Sequence, residues 1–116
     1  MVSQLERTLR VNRLFDLYGP LLTERQRRAI YLYYSMDLSL GEIADRTNVT
    51  RQAIHDSLLR AVASLEEVED NLGFLERWER LRGLTGELRD CLGNEPVRSD
   101  SCREIVSRIT DLNPLS

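Results

Sequence analysis

Lysine is absent from this 116-residue chain: all 16 of its cations are arginines. Every positive side chain is therefore a planar donor fork suited to phosphate, carboxylate or guanine, and none is a compact ammonium. Histidine occurs once, at His55, and cysteine twice, at Cys91 and Cys102. Two thiols eleven positions apart, with no second pair and no nearby histidine, lack the four-ligand spacing of a zinc site. They are expected to be free thiols of a reducing compartment, with a Cys91–Cys102 disulfide as the alternative. Only three prolines and few glycine-rich turns argue against a β-sandwich or barrel. No apolar run reaches about 18 residues, so no membrane span is expected. The opening stretch, MVSQLERTLRVNR, lacks the apolar core of a secretion signal. No glycine-rich phosphate loop and no Ser/His/Asp ordering is present, and Glu66 and Glu67 fall in an acidic helical pattern that reads as a solvated face. The expectation is a cytoplasmic, non-enzymatic, mostly helical protein with no metal and no cofactor.

The net charge of −3 excludes a general attraction of the whole surface to nucleic acid. The charge is uneven. Residues 1–19 and 20–63 each carry one more arginine than acids, whereas residues 64–95 hold four arginines against nine acids. Any nucleic-acid face must lie before that acidic block.

Apolar residues at three-to-five spacing from Val2 to Tyr18 predict a first helix, ended by Gly19-Pro20. Thr23 with Gln26 forms a capping box that opens a second helix, Glu24 to about Ser35, with Ala29, Ile30, Tyr33 and Tyr34 inward. Ser39 with Glu42 forms a second box and starts a two-turn helix. Asn48 suits the left-handed turn that follows it, and Thr50 caps the next helix. The inner face of that helix is Ala53, Ile54, Leu58, Ala61, Val62 and Leu65. Thr50, Arg51, Gln52, His55, Asp56 and Leu59 remain outward, which is the pattern of a helix-turn-helix.

The fold expected is all-α: a sigma-like helix-turn-helix bundle, a long following helix and a short C-terminal helix. Beyond Leu65 an apolar stripe through Leu72, Leu75, Trp78, Leu81, Leu84, Leu88 and Leu92 needs a partner, expected to be the first helix, a second subunit, or both. Gly73, Gly83 and Gly86 are possible interruptions. Gly93-Asn94-Glu95-Pro96 breaks the stripe, and Ser101 with Glu104 predicts a third capping box before a final helix and a frayed end at residues 113–116. The expected division is a helix-turn-helix domain with dimerising helices over 1–92 and an extension with one short helix over 93–116.

Taken together, Asn12-Arg13 with Leu14-Phe15 and Tyr18, Leu22-Thr23 with Gln26, Tyr31-Tyr33-Tyr34, Ser39-Leu40 with Glu42-Ile43-Ala44, and Arg51-Gln52-Ala53-Ile54 with Asp56 resemble the YlxM family. These are small bacterial helix-turn-helix proteins associated with signal recognition particle genes. The resemblance covers roughly residues 10–90 and departs from the family pattern at His55 and after about Asp90. More distantly, Leu22 to Arg27 and the helix pair resemble the promoter-reading C-terminal domain of bacterial sigma factors. The resemblance implies an all-α homodimer and a regulatory role in the signal recognition particle (SRP) pathway.

The candidate nucleic-acid contacts are Thr50, Arg51, Gln52 and His55 at the start of the presumed reading helix. Arg can fork onto guanine and Gln onto adenine, and a Thr hydroxyl can meet phosphate; the alternative for each is an ordinary solvated residue. Arg25, Arg27 and Arg28 are candidate phosphate-positioning groups, as the sigma-like likeness implies. Asp56 opposes phosphate, with Arg60 four residues on as its expected partner. The three tyrosines read as core or dimer packing in preference to base stacking, and Trp78 as an interface or core anchor. The partners expected are DNA or RNA, SRP components and a second copy of the chain. The competing reading is a protein-binding module for the SRP RNA or its GTPase, using the acidic block without sequence-specific DNA binding.

Overall fold

A computed structural model describes residues 3–93 and 98–112. Among these residues there are six α-helices and no strand. The chain forms two compact units, residues 1–73 and 74–116.

In the first unit, α1 spans Gln4–Tyr18. Ser3 caps it: its hydroxyl accepts from the Glu6 amide at 3.1 Å. Pro20 then sits in a single 3₁₀ turn, Gly19–Leu21, where a missing amide donor costs nothing. The Thr23–Gln26 box forms as the sequence predicts, with reciprocal bonds of 3.2 and 3.1 Å, and starts α2, Glu24–Ile30. The helix continues to Ser35, as expected, but its last five residues, Tyr31–Ser35, widen into a π turn. The Met36 amide reaches back to the Tyr31 carbonyl at 3.0 Å. Asn12 of α1 donates its side-chain amide to the Tyr34 carbonyl at 3.4 Å, which ties this turn to α1.

The Ser39–Glu42 box, closed at 3.1 and 3.2 Å, opens α3, Leu40–Thr47. A cap of this kind stabilises a short helix by about 1 kcal/mol. Asn48 follows in the left-handed region, and Thr50 caps α4, Arg51–Leu72. The core of the unit gathers Val11, Leu14 and Tyr18 from α1, Ala29 and Ile30 from α2, Ile43 from α3, and Ile54, Leu58, Ala61 and Leu65 from α4, all buried. Each fully covered Leu or Ile contributes roughly 1.5–3 kcal/mol. The long following helix is one continuous element as far as Leu72. Gly73, at φ 66, ends it in a conformation that a residue with a Cβ enters at a cost.

In the second unit, α5 spans Phe74–Gly93 and α6 spans Ser99–Asp111. Gly83 and Gly86 do not interrupt α5. The apolar stripe after Leu65 finds a partner that the sequence does not name: α6 packs on α5, with Leu84 and Ile105 buried. The expected third capping box is not formed. The helix starts three residues earlier, at Ser99, so Ser101 lies inside it, and Asp100 in the first turn supplies the favourable charge there. Trp78 is 54% exposed and is no core anchor. The expected break at residues 94–96 and the expected frayed end at 113–116 lie outside the described residues.

Candidate nucleic-acid interface

The elbow between α3 and α4 is set by Asn48, at φ 56 and ψ 40. That conformation lets the Val49 amide reach back to the Ala44 carbonyl at 3.2 Å. Asn tolerates the left-handed region because its short amide bonds locally. The Thr47 hydroxyl adds a 2.7 Å bond to the Ile43 carbonyl, so the last turn of α3 is held from both sides.

The start of α4 is solvent-facing. Thr50, Arg51, Gln52, His55, Asp56 and Leu59 are all exposed, while Ile54 and Leu58 lie beneath them in the core. The Thr50 hydroxyl accepts from the Ala53 amide at 3.1 Å. Its own proton stays available to donate to an incoming oxygen. The Arg51 side chain folds across the first turn of α3. A Cβ built on Gly41 would come within 2.8 Å of a guanidinium nitrogen, a contact that the flexible arginine relieves by swinging away.

Gln52 donates from Nε2 to Asp56 Oδ1 at 3.0 Å. His55 Nδ1 lies 3.8 Å from the same oxygen. Asp56 therefore takes its bond from Gln52 and not from Arg60 as expected. The two residues share one helix face at i,i+4, and the shorter amide reaches without the entropy cost of ordering a long arginine.

The basic cluster at the start of α2 divides. Arg25 and Arg28 line a cleft of about 390 Å³ shared with Thr47, Val49 and Ile54 of the elbow. Arg27 turns instead to Glu24, at 3.2 Å. On the other side of α4, His55 borders a groove of about 430 Å³ with Arg7, Arg10, Leu40 and Leu59. Arg7 and Arg10 stand one turn apart on α1, and neither is singled out by sequence. Their three-residue spacing is the signal that marks them as a pair. Arg10 holds Glu66 through both guanidinium positions, each at 2.7 Å. Tyr33 and Tyr34 are half-buried beside this groove, edge to face at 4.9 Å, whereas Tyr31 is exposed. Burial, then the neighbouring Tyr33 phenol, pushes the Tyr34 phenol up, and Arg7 pulls it partly back.

The acidic block is less free than its composition suggests. Glu66 is committed to Arg10. Glu69, in the same block, is 8% exposed and accepts from the Tyr18 phenol at 2.6 Å. Glu67 and Asp70 remain exposed. Among the described residues, no three His, Cys, Asp or Glu side chains gather into a metal-binding group, and no helix is long and apolar enough to cross a membrane.

Residues 5–105 match the family model of UPF0122, described as "Putative helix-turn-helix protein, YlxM / p13 like". The match runs beyond residues 10–90, into α6. The UPF0122 protein of Shouchella clausii is 46% identical over 109 residues, covering 94% of this chain and 99% of that protein. Those of Bacillus mycoides and Bacillus thuringiensis are 42% and 41% identical, with the same coverage. An exposed, capped helix start on a tight Asn48 elbow and a similarity spanning nearly the whole chain agree: the protein belongs to the UPF0122 family of YlxM/p13-like helix-turn-helix proteins.

Proposed function

We propose that this chain is a non-enzymatic regulatory protein that binds duplex nucleic acid through the first turns of α4. The observation that carries the reading is the joint exposure of Arg51, Gln52 and His55 on a helix start whose opposite face is locked into the core. Arg51 and Gln52 read base edges in a groove, Thr50 donates to phosphate, and Arg25 and Arg28, across the cleft beside the elbow, hold the backbone. Arg27, bound to Glu24, is the weakest member of that set. A cytoplasmic homodimer acting in the SRP pathway is the setting that the family likeness suggests.

Binding of the isolated protein to fluorescent genomic duplexes, followed across a salt titration, tests this. A dimer neutralising about 4–6 phosphates shows a log–log slope near −4 to −5. Arg51→Ala then weakens binding to a preferred duplex by about 5- to 150-fold, the equivalent of roughly 1–3 kcal/mol. Absence of any preferred duplex at low salt, with Arg51→Ala indistinguishable from the native chain, removes the reading.

One observation favours the second reading, a protein-binding accessory to SRP components. Asp56 sits in the middle of the outward ridge and engages Gln52. Under that reading, charge reversal at Glu67 and Asp70 abolishes capture of a basic SRP component while Arg51→Ala does not.

A further inference from the structure

The register of α5 and α6 is legible from their side chains. Glu87 and Arg108 meet at 3.4 Å. One turn nearer the start of α5, Gly83 and Leu84 share a cleft with Asp111 and Leu112. Position numbers thus rise along one helix as they fall along the other, so the pair is antiparallel. One turn beyond Glu87, Cys91 comes level with the first turns of α6, where Cys102 stands. The two cysteines are free and half-buried, and the Cys102 thiol is among the groups that raise the Cys91 thiol. Sequence separation alone favours two unconnected thiols, whereas the hairpin brings them together.

We propose that Cys91 and Cys102 form an oxidisable dithiol, which a small-molecule disulfide of the glutathione class converts into a reversible intramolecular bond clamping α5 to α6. One cysteine thiolate attacks a sulfur of the small disulfide; its S–S bond breaks, one small thiol leaves, and a mixed disulfide remains on the protein. The second cysteine then attacks the protein-side sulfur, the Cys91–Cys102 bond forms, and the second small thiol leaves. Two protein thiols lose two electrons and two protons in all, and the small disulfide takes up both. Burial, with the Cys102 thiol beside it, pushes the Cys91 thiol up, so the reduced pair persists at neutral pH until an oxidant is supplied. The bond acts on the second unit because its two partners lie on different helices; two cysteines on consecutive turns of one helix would constrain nothing.

The test equilibrates the full-length protein in mixtures of reduced and oxidised glutathione. Free thiols are blocked, and intact mass and unreduced peptide maps are measured. The expected product is a chain lighter by two hydrogens, with one cross-linked peptide pair containing Cys91 and Cys102. Cys91→Ser leaves Cys102 with a single glutathione adduct. Amide exchange in α6 slows by about 100-fold on oxidation, while α1 to α4 are unchanged. Persistent glutathione on both cysteines, disulfide-linked dimers, failure to react, or an internal bond that leaves exchange in α6 unaltered would each overturn the proposal.

Discussion

The phenol of Tyr18 donates to Oε1 of Glu69 at 2.6 Å, across 51 positions of sequence, and both residues are buried. The bond joins the end of α1 to the last turns of α4 with a charged acceptor, the stronger class of hydrogen bond. Tyr18→Phe keeps the ring and removes one donor to a buried carboxylate. The expected loss is about 1.5–3 kcal/mol, read as a lower urea midpoint with an unchanged slope. An unaltered midpoint would show that the bond carries no net stability.

Asn48 supplies a second check. At φ 56 it occupies a region where a Cβ is strained unless the side chain compensates. Asn48→Gly is expected to be close to neutral, and Asn48→Val to cost about 1–2 kcal/mol and to loosen the elbow. Thermal unfolding of the two variants side by side distinguishes a conformational requirement from a side-chain contact.

Asp56 is expected to oppose nucleic-acid binding twice over. Its charge repels phosphate, and its carboxylate holds the Gln52 amide at 3.0 Å. Asp56→Ala removes both effects and should tighten duplex binding about 3- to 10-fold, the larger gain appearing at low salt. Fluorescence anisotropy at two ionic strengths measures it. Weaker binding in the variant would mean that Asp56 positions Gln52 for reading and does not restrain it.

Tyr34 gives stability an alkaline limit. Its folded value is raised above the ordinary 10.0 by burial and Tyr33. The folded state therefore retains a proton that the unfolded chain gives up. That contribution is fully present below pH 10 and is lost as pH rises from there through the folded value. Tyr34→Phe should flatten the fall in urea midpoint between pH 9 and pH 11. An equal fall in both proteins assigns the alkaline loss to other groups, the raised Cys91 thiol among them.

What the sequence reveals is mostly what neighbours along the chain decide. The boxes at Thr23–Gln26 and Ser39–Glu42 and the turn at Asn48 each depend on residues within four positions, so their chemistry shows in the letters. The inner face of α4 follows from helical periodicity. The Ser3 cap of α1, with Glu6 three residues on, has the same spacing, with the Ser3 half of the box made. Contacts between distant positions do not announce themselves. Arg10–Glu66 and Tyr18–Glu69 become visible only once α1 lies on α4: one acid of the block is engaged at the surface and the other is buried. The meeting of Cys91 with Cys102 depends likewise on the register of a hairpin. At the candidate interface, the outward residues are readable from the capped start of α4. The Gln52–Asp56 bond is not, because Arg60 and Gln52 both stand four positions from Asp56 and only side-chain reach decides between them.

The widened turn at Tyr31–Ser35 has a consequence for chain length. A π turn holds one residue more than the α-helical turn it replaces, with little change in where the flanking segments point. Deleting a single residue there would let the second helix close into regular α geometry while α3 still begins in place. The same deletion anywhere in α4 would rotate the remainder of that helix by roughly 100° and turn its buried leucines to water. This segment is thus a helical stretch in the first unit where the protein can shed a residue without losing its phase.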